Sequence, residues 1–127
     1  MTHANASIGR DHYATRIEFG TRGLTADEPA ERGGGDAGPA PYELLLASLG
    51  ACTAITLRMY ADRKAWPLDS VAIDLRLHGQ GETLRIERIL RPEGIDAEQA
   101  ARLVEIAART PVTLTLIGGV PIDTRLG

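Results

Sequence analysis

The stretch Pro39-Ala-Pro-Tyr-Glu-Leu-Leu-Leu-Ala-Ser-Leu-Gly-Ala-Cys52-Thr-Ala-Ile-Thr-Leu-Arg-Met-Tyr-Ala-Asp-Arg-Lys64 decides the reading of this chain. Leu44 to Leu57 carries no charge, and the only cysteine of the sequence sits in its middle. Fourteen uncharged residues are too few to cross a bilayer, which takes about 20, and fit a core helix buried nearly all round. At about 100° per residue, Ser48, Cys52 and Thr56 fall in one row, so the thiol lies among small polar groups on an oily rod. Two readings follow. Cys52 is a small hydrophobe with hydroxyls bonded back to helix carbonyls, or it is a thiol put to use.

The helix is predicted from about Tyr42 to Lys64. Pro41 suits its start, where a missing N–H costs nothing, Glu43 and the Arg63–Lys64 pair complement its dipole, and Pro67 stops it. On the N-terminal side, His12 to Phe19 alternates as a half-exposed strand. Gly20 to Gly23 turns, and Leu24 to Asp27 is read as a short return strand. Glu31 to Gly38 reads as a flexible connector, because its glycines lack the spacing of a phosphate-binding loop.

On the C-terminal side, Val71 to His78 and Thr83 to Arg91 form an antiparallel pair around Gly79 to Glu82. Asp74, Arg76, Glu87 and Arg88 are grouped as its polar face. Asp96 and Gln99 make a capping box for a second helix with Ala100, Leu103, Val104, Ala107 and Ala108 as its buried stripe; Arg109 completes it and Pro111 breaks it. Pro111 to Leu116 stays open between strand and helix, and Ile122 to Leu126 reads as a final strand. The fold class is α+β, in one domain spanning residues 1–127. A helix of about 23 residues spans roughly 34 Å, wider than a compact domain of this size, so a partner chain is the simplest cover and a homodimer is expected.

Composition bounds function. Hydrophobic residues make up 43% and charged residues 24%, ordinary for a water-soluble globular chain. The net charge of −3 and pI near 5.6 give no reason to expect nucleic acid or an anionic membrane as partner. One cysteine forbids an internal disulfide and suggests a reduced, cytoplasmic setting; the N-terminus has no secretory pattern. His3, His12 and His78 show no metal-ligand spacing, so neither metal nor cofactor is expected. Tyr60 and Trp66 read as packing anchors, with the lining of an apolar substrate entrance as the alternative.

The run Gly38-Pro-Ala-Pro-Tyr-Glu-Leu-Leu-Leu-Ala-Ser-Leu-Gly-Ala-Cys52-Thr, followed by Arg58-Met-Tyr-Ala-Asp-Arg-Lys-Ala-Trp-Pro67, resembles the first cysteine motif of the osmotically inducible protein C (OsmC) and organic hydroperoxide resistance (Ohr) superfamily. Ala26-Asp-Glu-Pro and Gly34-Gly-Gly-Asp-Ala-Gly-Pro resemble it too, and the element order agrees from about His12 to Leu126. The resemblance implies an intertwined homodimer with long central helices, and a thiol peroxidase acting on organic hydroperoxides. Cys52 then matches the peroxidatic cysteine and Glu43 the glutamate at the helix start. Arg22 is the nearest match to the activating arginine, with Arg16 and Arg32 as alternatives.

The second motif departs from the pattern. Its cysteine place is held by Thr110, in Ala108-Arg-Thr-Pro-Val112. Resolution of an oxidised Cys52 would therefore need an external thiol or dithiol reductant. The alternative is a non-catalytic dimer that binds a small apolar ligand in the former active cleft. Glu43 lies nine residues before Cys52, about 13 Å and about 180° away on one straight helix, so the two cannot meet directly without an arginine between them, a break near Gly50 or a second chain.

Overall fold

The computed structural model describes residues 2–127, which divide into two compact units, one ending at Leu45 and one running from Leu46 to Gly127. In the first, β1 (Asn5–Ile8), β2 (Thr15–Phe19) and β3 (Arg22–Ala26) form an antiparallel meander. Ile17 faces Leu24 and Phe19 faces Arg22 across a tight turn where Gly20 takes φ 67°. β1 has no alternating pattern of its own, and its register on β2 (Ala6 opposite Ile17) makes it a strand.

The segment after β3 is not the flexible connector expected from its glycines. Asp27 is buried, and its carboxylate accepts N–H bonds from Glu28 at 2.7 Å and Ala37 at 3.1 Å, closing the loop over itself. The backbone bonds Asp36 N–H to Glu28 O and Asp27 N–H to Pro39 O, each 3.1 Å, hold the returning chain against β3. At Gly38 a Cβ would run into the Thr25 carbonyl, so only glycine permits that approach.

Helix α1 (Pro41–Arg63) starts with its proline at the first helical position, as the sequence suggests. It runs unbroken through Gly50, so no break there brings Glu43 toward Cys52; Leu75 packs against Gly50 in the space a Cβ would take. Ala65 in the left-handed region (φ 56°) and the Trp66 N–H to Ala61 O bond end it ahead of Pro67.

In the second unit the antiparallel pair β4 (Ser70–His78) and β5 (Arg85–Glu93) presents one face to α1 and to α2 (Ala97–Ala107). Leu57 and Ala61 of α1, Leu68, and Leu103 and Ala107 of α2 make the core, with Val71, Ile73 and Leu90 of the sheet packed on it. Asp96 and Gln99 form the expected capping box. The buried stripe of α2 is narrower than expected: Val104 is 59% exposed and Ala108 is exposed, because both lie a turn-fraction away from the Leu103–Ala107 row.

Three further expectations change. First, α1 is not buried all round within this chain. Leu49, Thr53, Leu57 and Ala61, each four residues apart, form its buried row, while Ile55 and Met59 are 55% and 59% exposed. Its length and mean hydropathy of 1.5 over 18 residues would also suit a membrane span; full burial of Leu57 and Ala61 against α2 and the sheet makes it a core helix instead. Second, Pro111 opens a helix, α3 (Pro111–Gly118), whose first position suits its fixed φ. Third, no strand forms at Ile122 to Leu126. Among the described residues that segment has no ladder partner, and Ile122 and Leu126 stand in solvent.

The Asp27 clamp makes a prediction about acid stability. Its carboxyl is held below the usual carboxylate range, above all by the Ala37 N–H. The stabilisation is therefore present at neutral pH and is lost as the pH falls through the depressed folded-state value. Urea midpoints measured on acidification below about pH 4 should fall more steeply for wild type than for Asp27→Asn, which should be the less stable protein at neutral pH. Parallel profiles would show that the carboxylate charge does not hold the loop.

Candidate functional site

Cys52 lies on α1 one residue from the fully buried Thr53, at the edge of the buried row, and its side chain is half-buried. The Sγ accepts the N–H of Val112 at 3.4 Å. Val112 is the second residue of α3, where a backbone N–H has no partner inside its own helix. The thiol thus faces the first turn of a helix.

α3 is held there by hydroxyls. Thr110, fully buried, directs its Oγ1 to Thr113 Oγ1 at 2.6 Å instead of capping the helix itself. The row expected to surround the thiol contributes less than its spacing suggests: Ser48 is exposed and Thr56 half-buried. The buried hydroxyl beside Cys52 is Thr53, whose Oγ1 donates to Leu49 O at 2.7 Å.

Arg88 joins these pieces. Nη1 donates to Thr53 Oγ1 at 2.9 Å and to Thr113 Oγ1 at 2.8 Å, and Nη2 donates to Ala107 O at 2.8 Å. Ala107 O is one of the last carbonyls of α2, which have no partner inside the helix, so the cation also sits at a negative helix end. Burial pushes the guanidinium below its usual range, and the Cys52 thiolate acts on it in the opposite sense.

The sequence grouping of Asp74, Arg76, Glu87 and Arg88 on one polar face therefore needs correction. Strand register puts Arg76 opposite Glu87 on the outer face, where Asp74 binds Arg76 at 2.8 Å. His78 and Glu87 pair there at 3.1 Å. Arg88 stands opposite Leu75 on the inner face, between Ile86 and Leu90. A charged residue at an inward position of an alternating strand was the available signal, and the count of charges along the hairpin hid it.

The other sequence candidates lie in the unit that ends at Leu45. Glu43 is exposed and its Oε1 accepts the Ala40 N–H at 2.9 Å, a first-turn bond at the helix start. Arg22 is exposed on β3, Arg16 lies 3.6 Å from Glu18, and Arg32 ends a 3-10 turn at Ala30–Arg32. In the second unit Tyr60 and Trp66 meet edge to face, with ring centroids 5.4 Å apart, and pack on the core as anchors. They also line an open cleft of about 570 Å³ with Lys64, Asp96 and Arg102, and Cys52 is not among its walls.

The family model for OsmC-like protein matches residues 33–125. Among solved structures, a putative osmotic stress induced and detoxification response protein from Psychrobacter arcticus superposes with a TM-score of 0.75 at 16% identity, over 91% of this chain and 88% of that one. An organic hydroperoxide resistance protein OsmC from Legionella pneumophila gives 0.69 at 25% identity, over 93% and 90%. A putative organic hydroperoxide resistance protein from Vibrio cholerae, with captopril bound in one of its active sites, gives 0.68 at 23% identity, over 93% and 85%. No curated protein sequence matches this chain. With the match running over most of the length, through both the Cys52 and the Thr110 segments, the chain belongs to the OsmC-like protein family.

Proposed function

We propose that this protein is a thiol-dependent peroxidase that reduces organic hydroperoxides at Cys52, drawing electrons from an external thiol or dithiol. The observation that carries the reading is the Cys52 sulfur set against the free Val112 N–H at the start of α3. A thiol serving only as a small hydrophobe has no need of a helix N-terminus.

The chemistry is a two-electron transfer. The Cys52 thiolate attacks the outer oxygen of the hydroperoxide, an S–O bond forms as the O–O bond breaks, and the alkoxide takes a proton and leaves as the alcohol. The sulfenic acid loses water to one external thiol, giving a mixed disulfide. A second thiol, or the second arm of a dithiol, releases Cys52 and carries away the disulfide. Thr110 at the second-motif position makes the external reductant a requirement. Arg22 is the family-implied arginine for the thiolate and Glu43 its partner, although Glu43 already serves the first turn of α1.

The working form in this reading is a homodimer of single OsmC-like domains in the cytoplasm, without cofactor, nucleic acid or membrane as partner. The exposed apolar side chains Ile55 and Met59 on α1, and Leu114 and Ile117 on α3, are what a second chain would cover. The buried Thr110 hydroxyl favours a second reading, a non-catalytic dimer that binds a small apolar ligand, since it fills the second-motif position with a satisfied structural group.

Stopped-flow mixing of reduced protein with cumene hydroperoxide, with sulfenic acid trapping, separates the two. Oxidation of Cys52 should outrun that of a free thiol at the same pH by at least about a hundredfold, the scale of one well-placed donor. A rate equal to the free thiol's would leave only the binding reading. Sedimentation at micromolar concentration should give about twice 13.6 kDa, and a folded monomer would remove the dimer from the account. Under peroxide, Thr110→Cys should form one dithiothreitol-sensitive bridge to Cys52 per subunit, which requires Cα atoms within about 7 Å. Absence of that bridge would mean that Thr110 does not occupy the resolving position.

A further inference from the structure

We propose that the cleft between the end of α1 and the first half of α2 is a separate binding site for a small aromatic carboxylate: Lys64 and the Tyr60 hydroxyl take the carboxylate, and Trp66 takes the ring. Cys52 is not among the walls of this cleft, so the inference stands apart from the peroxidase reading.

Three observations carry it. The first is shape. The cleft holds about 570 Å³, within the range that small-molecule sites occupy. One wall is built by the way α1 ends. Ala65 takes the left-handed region (φ 56°), and the Trp66 N–H returns to Ala61 O at 2.9 Å. That turn brings Trp66 back against Tyr60, edge to face, with ring centroids 5.4 Å apart. Both rings therefore line the cleft, each an apolar body with one polar handle.

The second is a pair of unused donors. Lys64 Nζ lies 5.7 Å from the centroid of the Tyr60 ring. Among the described residues it has no carboxylate within ion-pair distance. Tyr60 Oη accepts from Arg102 Nε at 3.1 Å, which leaves its own proton to be donated. An ammonium and a phenol in one cleft call for an acceptor that carries negative charge. The local charge agrees. The Tyr60 phenol is held below its usual range, first by the Arg102 hydrogen bond, with the charges of Arg102, Lys64 and Arg109 acting in the same sense.

The third is the commitment of the acids. Glu105 is bound to Arg102 at 2.6 Å. Asp96 Oδ1 accepts the Gln99 N–H at 2.8 Å, as the cap of α2. Glu98 is exposed in the first turn of α2, where its charge answers the helix dipole. A ligand cation would meet Lys64 and Arg102, both already set over the Tyr60 ring. One ammonium and one hydroxyl match the two oxygens of a carboxylate, and a flat apolar body matches the Trp66 indole.

Trp66 is the only tryptophan of the chain, so its fluorescence reads this cleft alone. The probes are para-bromobenzoate, para-bromobenzyl alcohol and para-bromobenzylamine, which share the ring and the quenching bromine and differ in charge. The benzoate should quench Trp66 to saturation, with the alcohol about fivefold weaker, the scale of one exposed ion pair, and the amine weakest. Raising sodium chloride from about 0.1 M to about 1 M should erase the benzoate's advantage. Lys64→Gln should bind the benzoate no better than the alcohol and leave the alcohol's affinity unchanged. Tyr60→Phe, which keeps the ring and removes the hydroxyl, should weaken the benzoate about threefold. Quenching that rises linearly and equally for all three probes would mean collision without a site and would overturn the proposal. Equal affinity for benzoate and alcohol, a preference for the amine, or full benzoate affinity in Lys64→Gln would each overturn it as well.

Discussion

A guanidinium on the inner face of a sheet has to find acceptors, and the second unit of this chain is arranged around the ones Arg88 finds. Its two nitrogens reach α1 through Thr53, the end of α2 through the Ala107 carbonyl, and α3 through Thr113. Each bond from a charged donor contributes about 1.5–3 kcal/mol, and leaving such a donor without its acceptors costs more than the bond returns. Three helices are therefore tied to one strand by a polar hub beside an aliphatic core of Leu57, Ala61, Leu68, Leu103 and Ala107. The core supplies the bulk of the burial; the hub decides where α3 begins, and α3 decides what faces the thiol.

That arrangement sets the Cys52 sulfur against the Val112 N–H at the start of α3. The position at which a resolving thiol is expected is instead part of the hub: Thr110 bonds Thr113, which bonds Arg88. The family assignment covers the fold, and this network is what ties α3 to α1 in this chain.

The fold was legible where one local pattern was strong. The uncharged run around Cys52 with prolines at both ends gave α1, the Asp96–Gln99 pair gave the start of α2, and the alternation at Val71 to His78 gave β4. It was not legible where a partner decides the outcome. Asn5–Ile8 becomes a strand because β2 offers it a ladder, and Ile122 to Leu126 stays out of one because the described residues offer it none. The glycine-rich loop looked flexible because the buried Asp27 that pins it lies before the glycines, at the end of β3. At the site, Cys52 stood out as a single thiol in an apolar helix. Thr53, Thr113 and Arg88 did not, since threonine is common and one more arginine in a charged hairpin draws no attention until strand register turns it inward.

The central claim is that the Cys52 sulfur and the Val112 amide form one electrostatic unit. The backbone amide resonance of Val112, followed by NMR across the pH range in which Cys52 alkylation accelerates, tests this most directly. The account predicts a Val112 amide proton that shifts in step with the thiol's ionisation, and more than other amides of α3. A Val112 signal that stays still while Cys52 titrates would contradict it.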